Sequence, residues 1–99
     1  MTASFTRKIG SNRGKPRLWI EGAHLTAAGL LHGTRWTLTK TDSGLTIAAD
    51  PEGKRRIAGK PGRPIIDINS AAMLGPLADA ETVVVAYEPG SGRLDVRRG

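Results

Sequence analysis

The chain has 99 residues, with 15 Lys and Arg against 9 Asp and Glu and a net charge of +6. That length holds one domain, 1–99, and no second independent core. The absence of Cys excludes a disulfide scaffold, Cys-based zinc and iron–sulfur sites and thiol catalysis.

No apolar run approaches the ~18 residues of a membrane span. The first ten residues lack the apolar core of a signal peptide. The expectation is a cytoplasmic protein without a membrane partner. The 13 Gly and 6 Pro, without a period, predict a turn-rich fold of short elements.

Phe5 to Ile9 reads as a short strand, and Ser11 to Pro16 as a loop rich in Gly, Pro and Asn. Arg17 to Ile20 alternates, with Leu18 and Ile20 on one face and Trp19 on the other. Ala23 to Ala28 reads as a helix capped by a left-handed Gly29. Arg35 to Thr41 is a strand with Trp36 and Leu38 inward; Asp42-Ser43-Gly44 turns it into a return strand, Leu45 to Ala49. A frayed strand at 55–57, a loop from Lys60 to Pro64 and a strand over Ile65 to Ile68 follow. Asn69 or Ser70 then caps a helix over Ala71 to Leu74, ended by Gly75-Pro76. Thr82 to Glu88 and Arg93 to Arg97 form the last hairpin.

This order occurs twice. Shifted by about 48 positions, Arg7, Ile9, Gly14, Pro16, Ile20, Ala23, Thr34, Ser43 and Gly44 fall on identical residues, against roughly three matches expected by chance. The last strand alone needs a one-residue slip. We read repeats over about 4–50 and 52–98. One such unit leaves an apolar face open; two close each other. The predicted fold is mostly β with two short helices, a pseudo-two-fold β barrel or sandwich built from two strand-loop-strand-helix-hairpin repeats. Internal pseudo-symmetry makes a monomer the first expectation and a homodimer the second. The predicted core joins Leu18, Ile20, Leu25, Trp36, Leu38 and Ile47 to Ile66, Ile68, Met73, Val83, Val85 and Val96.

The cations follow the repeat. Arg7, Lys8, Arg13, Lys15 and Arg17 precede residue 21 with no acid among them, and Lys54, Arg55, Arg56, Lys60 and Arg63 recur at 51–64 with only Glu52. Two basic blocks at matched places favour a polyanion, nucleic acid first.

Leu18-Trp19-Ile20-Glu21-Gly22, Leu25, Ala28-Gly29-Leu30 and Gly33 resemble the core motif of the SymE toxin family, within the AbrB/MazE-like swapped-hairpin superfamily. The likeness is specific over Arg17 to Ala49 and only a pattern over 64–97, where Leu74-Gly75-Pro76 replaces Ala-Gly. It implies a barrel normally made by two chains, here duplicated within one. It also implies DNA binding through basic residues of the first strands and their loops: Arg7, Lys8, Arg13, Lys15 and Arg17, with Arg55, Arg56 and Arg63 in the second half. The opening from Lys8 to Lys15 is similar to small phage- and plasmid-encoded proteins. Such a fold serves regulators, antitoxins and toxins alike.

Other motifs carry less. Gly10 to Pro16 lacks the spacing and the hydroxyl after Lys15 that a phosphate loop needs. Gly90-Ser91-Gly92 lies between two strands, not at a nucleophile elbow. His24 and His32 have no zinc spacing. No acid–base pair stands out, so neither an enzyme, a cofactor nor a metal is expected. Trp19 has three open roles: packing on a core or helix, stacking on a base, or anchoring a protein interface.

The expected function is a small basic nucleic-acid-binding protein of mobile-element or phage origin, with DNA favoured over RNA. It would act as a regulator or in a toxin–antitoxin pair, through Arg7, Lys8, Arg13, Lys15, Arg17, Arg55, Arg56, Lys60 and Arg63. The alternative is a phage-encoded inhibitor of a host defence complex (anti-CRISPR or anti-restriction) that binds protein through Trp19 and Asn12.

Overall fold

The computed structural model describes residues 2–99. Ten strands and two short helices follow in order: β1 Ala3–Lys8, β2 Gly10–Asn12, β3 Lys15–Glu21, α1 Ala23–Ala28, β4 Arg35–Lys40 and β5 Gly44–Ala49, then β6 Arg55–Arg56, β7 Ala58–Lys60, β8 Arg63–Ile68, α2 Ala71–Leu74, β9 Thr82–Tyr87 and β10 Arg93–Arg98. A single 3₁₀ turn, Gly75–Leu77, extends α2. The strands form two antiparallel sheets, β1-β9-β10-β5-β4-β6 and β2-β3-β8-β7. The fold class expected from the sequence, mostly β with two helices, is the one observed.

Both strand orders read the same from either end when each strand is exchanged for its counterpart in the other half. The halves interleave: β1 pairs with β9, and β6 with β4. In the smaller sheet Leu18 faces Ile68, Trp19 faces Asp67 and Ile20 faces Ile66. In the larger one Leu94 faces Ile47, Asp95 faces Thr46 and Val96 faces Leu45. Trp19/Asp67 and Thr46/Asp95 are thus residues opposite their own counterparts, and the pseudo-two-fold axis runs through both pairs.

The register also refines the sequence offset. Arg7 stands opposite Val83 as Arg55 stands opposite Trp36. Val83 is therefore the counterpart of Trp36, one position short of the 48-residue shift, whereas Asp95 lies one position beyond it.

Two segments read as loops are hairpins. Asn12 faces Lys15 across Arg13-Gly14, and Lys60 faces Arg63 across Pro61-Gly62. A two-residue hairpin turn of the tightest kind needs positive φ at both central residues. Arg13 adopts φ 56° and Gly14 φ 76°. The polar composition that resembled a loop is the composition of a tight turn.

The core lies between the sheets. Leu18 and Ile20 of β3 and Ile66 and Ile68 of β8 point inward, against Trp36, Leu45, Ile47, Val83, Val85, Leu94 and Val96 of the larger sheet. The helices add Leu25, Ala28 and Leu74. Alternation puts one face of each strand inside, which pins the register. Ten of the twelve expected core residues are buried; Leu38 and Met73 are only partly so. Close approach fixes Gly44: a Cβ there would sit 1.8 Å from the Val96 carbonyl oxygen.

The caps are as read. Gly29 closes α1 at φ 88°, and the Ser70 hydroxyl accepts from the Met73 N–H at 3.3 Å at the start of α2.

Ile47→Ala or Ile68→Ala should lower stability by ~2–5 kcal/mol, and Leu38→Ala by less, because its site is already half open. Urea midpoints of the three variants check the order. Residues 1–50 expressed alone leave β1 and β3 without their partners, so they should be unfolded or dimeric by CD and analytical ultracentrifugation.

Candidate nucleic-acid interface

Opposed residues of antiparallel strands project to the same face. The outer face of the smaller sheet therefore carries Asn12, then Lys15, Arg17, Trp19 and Glu21, then Arg63, Ile65 and Asp67, then Lys60. The structure brings together six of the eleven residues singled out in the sequence, with Arg13 on the adjoining turn as a seventh. β3 and β8 run antiparallel, so the Arg13–Lys15 and Lys60–Arg63 tips lie at opposite ends of this sheet.

Trp19 is not a core residue. It is 37% exposed at the centre of the face, because alternation sends Leu18 and Ile20 the other way. The Arg17 guanidinium lies 4.5 Å from its ring centroid. The same guanidinium donates two hydrogen bonds of 2.9 Å to the Asp67 carboxylate. At the far side of Trp19, Arg63 meets Glu21 at 2.6 Å. The Arg63 guanidinium beside Glu21 holds that carboxyl below the usual carboxylate range, against the effect of burial and with help from the Trp19 indole and the Arg7 charge. Asp67 in turn raises Arg17 further above its ordinary range. These are fork-to-carboxylate pairs, which fix geometry more than they stabilise.

The cations of the face thus divide. Arg17 and Arg63 are held by acids of the opposite half. Arg13, Lys15 and Lys60 are exposed and have no ion-pair partner among the described residues.

The remaining expected residues lie elsewhere. Arg7 and Lys8 belong to β1, and Arg55 and Arg56 to β6, at the two margins of the larger sheet. Arg7 is half-buried with its guanidinium 4.7 Å from the Phe5 ring centroid. Arg55 donates to the Met73 sulfur. Lys8 and Arg56 point to the outer face of the larger sheet, with Arg35, Arg93 and Arg97, which sequence reasoning missed. Asp95 is the carboxylate among them and accepts from Arg93 and from Thr46. The period-two spacing of Arg93, Asp95 and Arg97 was the available signal for that second basic face.

Among the described residues no group of three or more His, Cys, Asp or Glu could hold a metal. No helix there is long and apolar enough to cross a membrane. His24 packs within the fold: its ring stacks on Phe5 at 3.8 Å and its Nδ1 lies 3.3 Å from the Tyr87 hydroxyl. No family model, curated protein or solved structure matches this chain.

A carboxyl whose folded value is depressed contributes stability that is present above its unfolded value and lost as pH falls through the folded one. Glu21 should therefore lose its pairing with Arg63 only below the ordinary Glu range. Arg63→Ala should move the Glu21 titration, followed by NMR of the carboxyl carbon, upward toward the ordinary Glu range. An unmoved titration would show that the pair does not persist in solution.

Proposed function

We propose that the chain binds nucleic acid, duplex DNA before RNA, through the two basic hairpin tips of the smaller sheet, as a small regulator or toxin–antitoxin component of a mobile element. The observation that carries this reading is the placement of Arg13 and Lys15 at one end of the sheet and Lys60 at the other, all three exposed and without an ion-pair partner among the described residues. The molecule is 30 Å in its longest extent. The tips lie within that length, at opposite ends of the sheet, and are related by a pseudo-two-fold as the duplex backbones are. Phosphate contacts of this kind release counterions and bind all sequences.

The duplication, the swapped-hairpin kinship and a cytoplasmic site of action belong to the same reading. The exchange of β1 and β6 between halves supports the kinship. The anti-defence alternative rests on the exposed Trp19 at the centre of this face and on Asn12 nearer its tip. A protein interface centred there would be less sensitive to salt.

The test is a set of binding isotherms on random duplex DNA and on RNA at several salt concentrations. Arg13→Ala and Lys60→Ala should each reduce the salt slope by ~1 and weaken every sequence alike. Arg35→Ala/Arg97→Ala, on the other face, should leave the slope unchanged. Absence of binding by the parent at low salt would refute the reading.

A further inference from the structure

The two halves differ most where the larger sheet ends. On one margin β1 is six residues long and covers β9 from Thr82 to Tyr87, with Phe5 opposite Val85. Phe5, His24 and Tyr87 pack there as an aromatic plug, with ring centroids at 3.8 Å for Phe5–His24 and 6.2 Å for the two pairs with Tyr87. On the other margin β6 is two residues long and covers only Arg35 and Trp36 of β4. Residues 51–54 turn away, with Gly53 seated against the Trp36 backbone. Thr37, Leu38, Thr39 and Lys40 pair with β5 on one side and with no described strand on the other.

The plug is missing as well. By strand register Lys40 stands where the other half has Tyr87, and by sequence offset Ala72 stands where it has His24. The result is a groove of about 490 Å³ walled by Trp36, Leu38, Ala72 and Met73. It explains why Leu38 and Met73 are only half-buried, while their counterparts Val85 and Leu25 are fully enclosed. Lys40, Lys54 and Arg55 line it against one acid, Glu52.

We propose that this open edge binds an extended acidic segment of a partner protein as an added strand antiparallel to β4, with one aromatic side chain in the groove opposite Leu38. The other half supplies the template. An edge strand with unpaired backbone groups beside an apolar pocket is the arrangement that strand addition uses, the ladder giving affinity and the pocket specificity. Sequence register follows from β1. The residue two before the aromatic, opposite Lys40, is small, as Ala3 is opposite Tyr87. The residue after the aromatic pairs opposite Thr37; beyond that β6 already covers Trp36 and Arg35, so the following residues leave the ladder beside Lys54 and Arg55 and carry the acid. This surface lies away from the hairpin tips, so it goes beyond nucleic-acid binding and does not depend on it.

The probe is the acetylated, amidated peptide Ala-Ser-Phe-Thr-Asp-Asp, titrated into the full chain and followed by amide NMR. Saturable shifts confined to Trp36–Lys40, Lys54–Arg55 and Ala72–Met73 are expected. The peptide with Ala for Phe should bind about tenfold or more weakly, and Lys54→Glu/Arg55→Glu should weaken the parent peptide. Shifts at other surfaces, no shifts at millimolar peptide, or equal binding of the Phe and Ala peptides would overturn the proposal. Shifts of the Thr37–Lys40 amides with protein concentration alone would also overturn it, since a second copy would then be the occupant.

Discussion

Pairing of β3 with β8 brings Trp19 opposite Asp67 and closes a sheet that neither half could build alone. The same holds in the larger sheet, where β5 and β10 meet at Thr46 and Asp95 and the Thr46 hydroxyl donates to the carboxylate at 3.0 Å. Once these two central pairs are set, β1 must cross to β9 and β6 to β4 to cover the remaining apolar strands. Each half pairs its own β4–β5 or β9–β10 hairpin, but both sheets close only across the halves, and the core is completed when the halves meet. Most of the contacts are distant in sequence for that reason, which places folding among the slower topologies.

Electrostatics follows from the same exchange. Arg17 and Asp67, and Glu21 and Arg63, are far apart in sequence and adjacent only because β3 lies on β8. The pairing ties two of the sheet's cations, Arg17 and Arg63, to carboxylates. The smaller sheet's cations without an ion-pair partner among the described residues lie at the hairpin tips, where Arg13-Gly14 and Pro61-Gly62 turn the chain. A long Arg at positive φ is an uncommon choice for a turn, and here it places a guanidinium beyond the end of the sheet.

Much of this was legible in the chain, because alternation and repetition are local signals. Leu18 and Ile20 against Trp19 announced an inner and an outer face, and Ser70 and Gly29 announced helix ends. The matched residues at Arg7, Gly14, Pro16 and Ile20 gave an offset with which the mirrored strand orders are consistent. The hairpin tips were hidden because Asn12 to Lys15 has the composition of any polar loop; only strand pairing reveals that Asn12 faces Lys15. The division of cations was hidden too, since no local rule joins Arg17 to Asp67. The open margin at β4 was least visible, because it depends on what is missing at 51–54 in comparison with Ala3–Lys8.

Symmetry is broken at the axis itself. A pseudo-two-fold that passes between two side chains makes them equivalent in position and allows them to differ in kind: Trp19 on one strand, Asp67 on the other. Arg17 responds to both, stacking on the ring and forking onto the carboxylate. Its counterpart in the other half is Ile65, which has no charge to offer. The tips at the two ends differ as well, Arg13 and Lys15 at one and Lys60 at the other, because Arg63, the counterpart of Lys15, is held by Glu21. The centre between them also has a direction, aromatic and cationic toward β3 and apolar toward Ile65. The proposed duplex would therefore meet unequal contacts at its two ends and an unequal surface between them, so a preference of orientation would arise from the tips and the Arg17–Trp19–Asp67 set together.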